Sequence, residues 1–157
     1  MTNYSQYKHL LFERKENGIL LITINRPEAL NATNARLHWE LSRVWLDIGD
    51  DPETRVVVIT GAGRAFSAGG DLDMIDAFSH NLEVISGVMK EASDIVYNIA
   101  NLDKPVISAI NGPAVGAGLA VALMADISII SEKAKITDGH VRLGVGAGDH
   151  AAIIWPI

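Results

Sequence analysis

Hydrophobic positions along this chain fall into two alternating kinds of run. Gly18-Ile-Leu-Leu-Ile-Thr-Ile24, Arg55-Val-Val-Val-Ile-Thr60 and Pro105-Val-Ile-Ser-Ala-Ile110 are short and rich in β-branched residues, the pattern of buried strands. Asn25-Arg-Pro27 ends the first, since proline has no N–H for a ladder. Ile127-Ser-Ile-Ile130 predicts a further short strand. Between them, Leu37, Leu41, Val44, Trp45 and Ile48 recur at the spacing of one helix face. They predict a helix opening at Thr33 or Asn34, either a suitable N-cap, and ending near Gly49 or Asp50. Leu82, Ile85, Val88, Met89, Ala92, Ile95, Val96 and Ile99 keep the same periodicity and predict an amphipathic helix of about five turns that ends near Leu102. Leu119-Ala-Val-Ala-Leu-Met-Ala125 is apolar all round, which predicts a buried helix. Strands alternating with helices in this way predict an α/β layered fold with a substantially parallel sheet.

Composition narrows the function classes. With 157 residues, 48% hydrophobic and 20% charged, the chain has the makeup of one folded domain able to bury a sizeable core. It contains no cysteine, which excludes disulfide scaffolds, thiolate metal sites and cysteine nucleophiles. Thirteen Lys and Arg against 19 Asp and Glu leave a net charge of −6, and without a basic cluster this argues against a nucleic-acid partner. The first 18 residues hold no apolar signal core, and the most hydrophobic stretch, 105–130, is interrupted by Asn111, Asp126 and several glycines and prolines. Neither a signal peptide nor a membrane span is expected, and the cytoplasm is the expected compartment.

Two segments of small residues follow predicted strands: Gly61-Ala-Gly-Arg-Ala-Phe-Ser-Ala-Gly-Gly70 and Asn111-Gly-Pro-Ala-Val-Gly-Ala-Gly118. Small side chains let backbone N–H groups approach a ligand, and a helix N-terminus behind the second segment adds its positive end. Two such amides converging on one oxygen form an oxyanion hole. The same residues also read as tight turns for close strand–helix packing, and composition leaves both open. The dinucleotide-binding fingerprint fails, which argues against such a site: the third glycine of a G-x-G-x-x-G starting at Gly61 falls on Phe66 and of one starting at Gly144 on Asp149.

Three co-linear blocks carry a family resemblance: Asn25-Arg-Pro-Glu-Ala-Leu-Asn-Ala32, Val57 to Leu72, and Lys104 to Gly118. From about residue 10 onward the sequence resembles the crotonase (enoyl-CoA hydratase/isomerase) family. The resemblance implies an α/β, crotonase-like (ClpP/crotonase) spiral of repeated β-β-α units. It implies acyl-CoA thioesters as substrates, with coenzyme A part of the substrate and no separate cofactor or metal, and homo-oligomers that are trimers or hexamers. Carried over position by position, it places oxyanion donors at the amides of Ala68 and Ala117. It lays the CoA moiety along Arg26, Ala29, Leu30, Ala68, Gly69, Gly70, Asp71 and Leu72, with Arg26 and Arg64 as candidate phosphate partners and Asp71 capping the next helix.

The sequence departs from that pattern where hydratases of the family carry two glutamates. One position is Ala120 and the other is His140. A histidine can serve as acid or base near neutral pH when a carboxylate fixes its tautomer. Asp149, beyond a glycine-rich stretch, is the expected orienting partner, with Asp138 and His150 nearby. His9, His38 and His80 read as structural or solvated, His38 on the exposed face of its helix. The leading expectation is an enzyme working through an enolate held by backbone amides, with His in place of the usual Glu. The alternatives are a carbon–carbon bond hydrolase of the same fold, or a catalytically inactive binding subunit. The apolar stretch Ala151 to Ile157, set against the helical C-terminal region of the family, gives the further expectation that residues 1–157 are the spiral domain, cut off before that trimerisation region.

Overall fold

The structure, a computed structural model, describes residues 2–71 and 81–140 together with 144, 146, 152 and 154. Strands β1 (Leu10–Arg14), β2 (Ile19–Ile24), β3 (Val56–Gly61), β4 (Val106–Ile110) and β6 (Ile127–Ile130) form one sheet in the order β1-β2-β3-β4-β6. β1 runs antiparallel to β2 and every other neighbouring pair is parallel. A second, two-stranded sheet pairs β5 (Ala114–Val115) with β7 (Ile136–Thr137) in parallel. Helices α1 (Ala35–Gly49), α2 (Leu82–Ala100) and α3 (Gly116–Met124) complete the described elements.

One face of the large sheet is the core. Leu20, Ile22 and Ile24 of β2 and Val57 and Ile59 of β3 are buried at alternate positions, as the two-residue period of a strand requires. Against them pack Leu37, Leu41, Val44, Trp45 and Ile48 of α1, with Ile95 and Ile99 of α2 and Leu119 and Val121 of α3. α1 starts where its N-cap dictates: the Asn34 side chain accepts from Leu37 N–H at 2.8 Å. α3 is buried along Gly118 to Ala122, in keeping with its all-round apolarity.

Three features differ from the pattern-based expectations. β1 has only Leu10 fully buried, with charged Glu13 and Arg14 at its end, so its apolar signal is too sparse to mark a strand. It forms because a turn at Glu16–Gly18, with Asn17 and Gly18 in the left-handed region, folds it back onto β2. His38 is buried, contrary to its expected exposed position, because α2 crosses that face of α1 and Glu91 Oε2 meets its Nδ1 at 2.6 Å. The N-terminal half of α2 leaves Leu82 and Met89 exposed; only its last turns, with Ile95, Val96 and Ile99, are buried.

Asp51, just past α1, is a buried carboxylate that ties the N-terminal segment to the domain. Its Oδ2 accepts from Thr54 Oγ1 (2.6 Å) and Tyr4 Oη (2.9 Å) and pairs with Arg14 Nη1 (3.0 Å). Burial opposes its charge, but the hydrogen bonds from Thr54, Arg14 and Tyr4 outweigh burial and hold its carboxyl well below the usual carboxylate range. A carboxyl depressed in the folded state contributes stability above its unfolded pKa, about 3.9, and loses it as pH falls toward the folded value. Asp51→Asn is therefore expected to lower stability at pH 7 and to differ less from wild type at pH 3, as read by urea unfolding at the two pH values.

Candidate active site

The candidate site is built where the segments leaving β3 and β4 run side by side. Phe66 and Ser67 N–H both donate to Pro113 O, at 3.0 and 3.1 Å, and Val115 N–H donates to Ser67 O at 2.9 Å. Ser67 and Ala114 thus form a parallel bridge between the two small-residue segments. Past the bridge, Gly69 (φ +94°) and Gly116 (φ +55°) take conformations that L side chains rarely adopt. A Cβ on Gly116 would stand 3.4 Å from Gly69 Cα and 3.7 Å from Gly70 N. The Gly70 amide is therefore a neighbour of the first turn of α3.

A third segment holds this arrangement from outside. Leu30 and Asn31 both have positive φ, 52° and 57°, which brings the fully buried Asn31 side chain under the first loop. Its Nδ2 donates to Ala62 O (2.9 Å) and Ala65 O (2.8 Å), and its Oδ1 accepts from Arg26 N–H (2.8 Å). Ser67 Oγ donates to Asn31 O at 2.8 Å. From the other side, Asn111 Nδ2 donates to Gly61 O (2.9 Å) and Gly63 O (3.0 Å). Two side-chain amides thus take up the carbonyls of a loop that has no ladder of its own.

The loop's amides divide into engaged and open ones. Ala68 N–H donates to Leu30 O at 3.0 Å, Gly69 N–H to Ser67 Oγ at 3.4 Å, and Asp71 N–H to Thr33 O at 3.0 Å. Thr33 N–H in turn donates to Gly69 O at 2.7 Å, which makes Gly70 the bridge partner of Thr33. In a parallel bridge the paired residue's own N–H points away from the partner, and among the described residues the Gly70 N–H has no protein acceptor. α3 has no side-chain cap at Val115, so among the described residues the N–H groups of its first turn, Ala117 among them, are open as well. Of the two amides expected as donors, Ala68's is spent on Leu30, whereas Ala117's is available beside Gly70. The phase of the Thr33–Gly70 bridge decides this, and the sequence carries no signal of that phase.

The remaining expected residues are placed as follows. Arg26 turns inward: its Nη1 donates to Ala32 O and pairs with Asp71 Oδ2 at 3.2 Å, with the side chain only 14% exposed. It ties the 26–33 segment to the loop rather than standing ready for a phosphate. Arg64 is exposed. Ala29 closes a single helical turn, Pro27–Ala29, and Leu30 follows it. Ala120 is buried one turn along α3 from Ala117. Leu72, Asp149, His80 and His150 lie outside the described residues, as does the helix that Asp71 was expected to cap.

His140 reaches the same place by another route. β7 pairs with β5 in the register Ala114 to Ile136 and Val115 to Thr137, and Ala114 N–H donates to Lys135 O at 3.0 Å. A Cβ on Gly139 would lie 3.5 Å from Val115 Cγ1. The segment ending in His140 is thereby held against the residue that precedes α3. Among the described residues, the carboxylate that meets the His140 ring is that of Asp138, whose Oδ1 contacts Nδ1 and accepts from His140 N–H at 3.2 Å.

Comparison with known proteins places this architecture. The fold superimposes on an enoyl-CoA hydratase/isomerase from Mycobacterium paratuberculosis with a TM-score of 0.89 and 40% identity, over 94% of this chain and 59% of that one. It superimposes on an enoyl-CoA hydratase from Streptomyces coelicolor A3(2) with a TM-score of 0.89 and 28% identity, over 99% of this chain and 57% of that one. The fold is thus the α/β crotonase fold. The family model for enoyl-CoA hydratase/isomerase matches residues 14–156, and the chain belongs to that family. Among relatives, it is 38% identical over 140 residues to a probable peroxisomal enoyl-CoA hydratase 1 of Arabidopsis thaliana, covering 88% of this chain and 51% of that protein. It is 37% identical over 132 residues to the 1,2-epoxyphenylacetyl-CoA isomerase of Escherichia coli, covering 83% and 50%. The chain spans about half the length of these curated relatives. Among the described residues no helix is long and apolar enough to cross a membrane.

The approach of the two loops gives a direct test. A Cβ on Gly118 would stand 2.2 Å from Ser67 Cβ, both in buried positions. Gly118→Ala is expected to cost about 1–3 kcal/mol by overpacking, seen as a lower urea midpoint.

Proposed function

We propose that this chain acts on acyl-CoA thioesters, holding an enolate oxygen between the amides of Gly70 and Ala117 and moving protons with His140. The observation that carries the reading is the open Gly70 N–H beside the uncapped first turn of α3. Family membership supports the thioester class, and relatives named as a CoA-ester hydratase and a CoA-ester isomerase share the CoA thioester. A substrate that brings its own coenzyme A needs no further cofactor in this reading.

The chemistry follows from the charge that develops. Breaking a C–H bond beside the thioester carbonyl sends its electron pair into the new C=C bond and the negative charge onto oxygen. Two amides already aimed at that oxygen stabilise it without reorganisation, each contributing on the order of 2.7–4 kcal/mol. The positive end of α3 adds to the same sign of potential. The proton passes to His140 and returns to carbon. Ala120 offers no carboxylate to hold a water, which favours isomerisation, a proton shuttle that consumes no water, over hydration.

Ala117→Pro removes one donor at a first-turn position where proline is tolerated. It is expected to lower kcat by about 10²–10³-fold on the better of an enoyl-CoA and a β-dicarbonyl CoA substrate, with an unchanged melting temperature. Wild-type turnover in the proline variant overturns the oxyanion reading.

A further inference from the structure

His140 follows β7 on residues 138–140, which are themselves neither helix nor strand, yet a proton-transfer group must present one particular nitrogen to its substrate. The residue that meets the ring is Asp138, two positions back. Its Oδ1 serves two donors at once, the His140 backbone N–H at 3.2 Å and the ring Nδ1. The backbone bond is a local turn that fixes where the ring begins, and the ring contact fixes how it is oriented. Both side chains are largely withdrawn from solvent, 19% exposed for Asp138 and 16% for His140, where such a contact is weakly screened. The segment's placement against β5 brings this pair beside Val115, the residue before the open turn of α3.

We infer that Asp138 is the positioning residue for His140, accepting the Nδ1 proton and so fixing the tautomer in which Nε2 carries the lone pair. This deepens the proposed function and rests on it, since it assumes that His140 is the proton-transfer group. Asp138 itself neither gains nor loses a proton in the step. Nε2 takes the proton from substrate carbon as the C–H electron pair enters the enolate, the imidazolium is held by the Asp138 carboxylate, and Nε2 gives the proton back. The role is distinct from the one expected of Asp149, which lies outside the described residues: Asp138 reaches the ring through a turn of two residues.

Two substitutions separate ring from backbone. Asp138→Ser keeps a short oxygen for the His140 N–H but loses the reach to Nδ1, whereas Asp138→Asn keeps an acceptor for both and loses the charge. The tautomer of His140 is read by ¹⁵N NMR on the folded full chain, with His140→Ala used to assign its signals. The Nδ1–H tautomer is expected in wild type and in Asp138→Asn, and its loss is expected in Asp138→Ser. With an enoyl-CoA substrate, kcat is expected to fall about 10²-fold in Asp138→Ser with KM within about threefold, and less in Asp138→Asn. An Nδ1–H tautomer that persists in Asp138→Ser overturns the positioning role, whatever the turnover. Full turnover in His140→Ala instead overturns the proton-transfer reading itself, so the two failures are distinguishable.

Discussion

Close approach of two backbones, with no side chain between them, is the constraint on which this site depends. Ser67 and Ala114 can form a parallel bridge only because Gly118 leaves the space that Ser67 Cβ fills, and because Gly69 and Gly116 turn in regions that side chains disfavour. Everything else follows from that approach. It places Gly70 N–H against the first turn of α3, and it leaves the amides in between without competing side chains. Asn31 and Asn111 then stop the loop from sagging by taking its carbonyls from two sides.

The result is a site whose electrostatics come from backbone dipoles. Arg26, which borders the loop, pairs with Asp71, and in the proposed reading the positive potential at the candidate oxygen position arises from amides and the N-terminus of α3. Preorganised dipoles of this kind favour a charge that appears during reaction over one that is already present in the substrate. His140, carried in by β7 pairing with β5, adds a group able to move a proton. One short parallel pairing therefore links the two halves of the proposed chemistry, because β5 both precedes α3 and anchors the histidine segment.

Much of this was legible in the sequence. The cores of β2, β3 and β4 and the buried face of α1 stand in the pattern because each element buries a regular, unbroken set of apolar positions. β1 was not legible, since its pairing depends on a left-handed turn at Asn17 and Gly18 rather than on its own residues. His38 was misplaced because a helix face is exposed only until another helix crosses it, and α2 does so through Glu91. At the site, the two small-residue loops could be picked out by residue type, and His140 by its place in the family resemblance. Which amide of Ala68-Gly-Gly70 stays open could not, because a one-residue change in bridge phase exchanges an engaged N–H for an open one. Asp138 could not be singled out from spacing either, because a ring contact two residues back is decided by a local turn.

The most direct test is the carbonyl of a bound thioester. A saturated acyl-CoA labelled with ¹³C at the carbonyl carbon has no double bond to isomerise, and in the proposed reading its bound resonance reports how strongly the oxygen is polarised. The account predicts a downfield displacement of the bound carbonyl signal relative to free thioester, as two backbone donors draw electron density toward oxygen. A bound thioester whose carbonyl signal stays at its free position would contradict it.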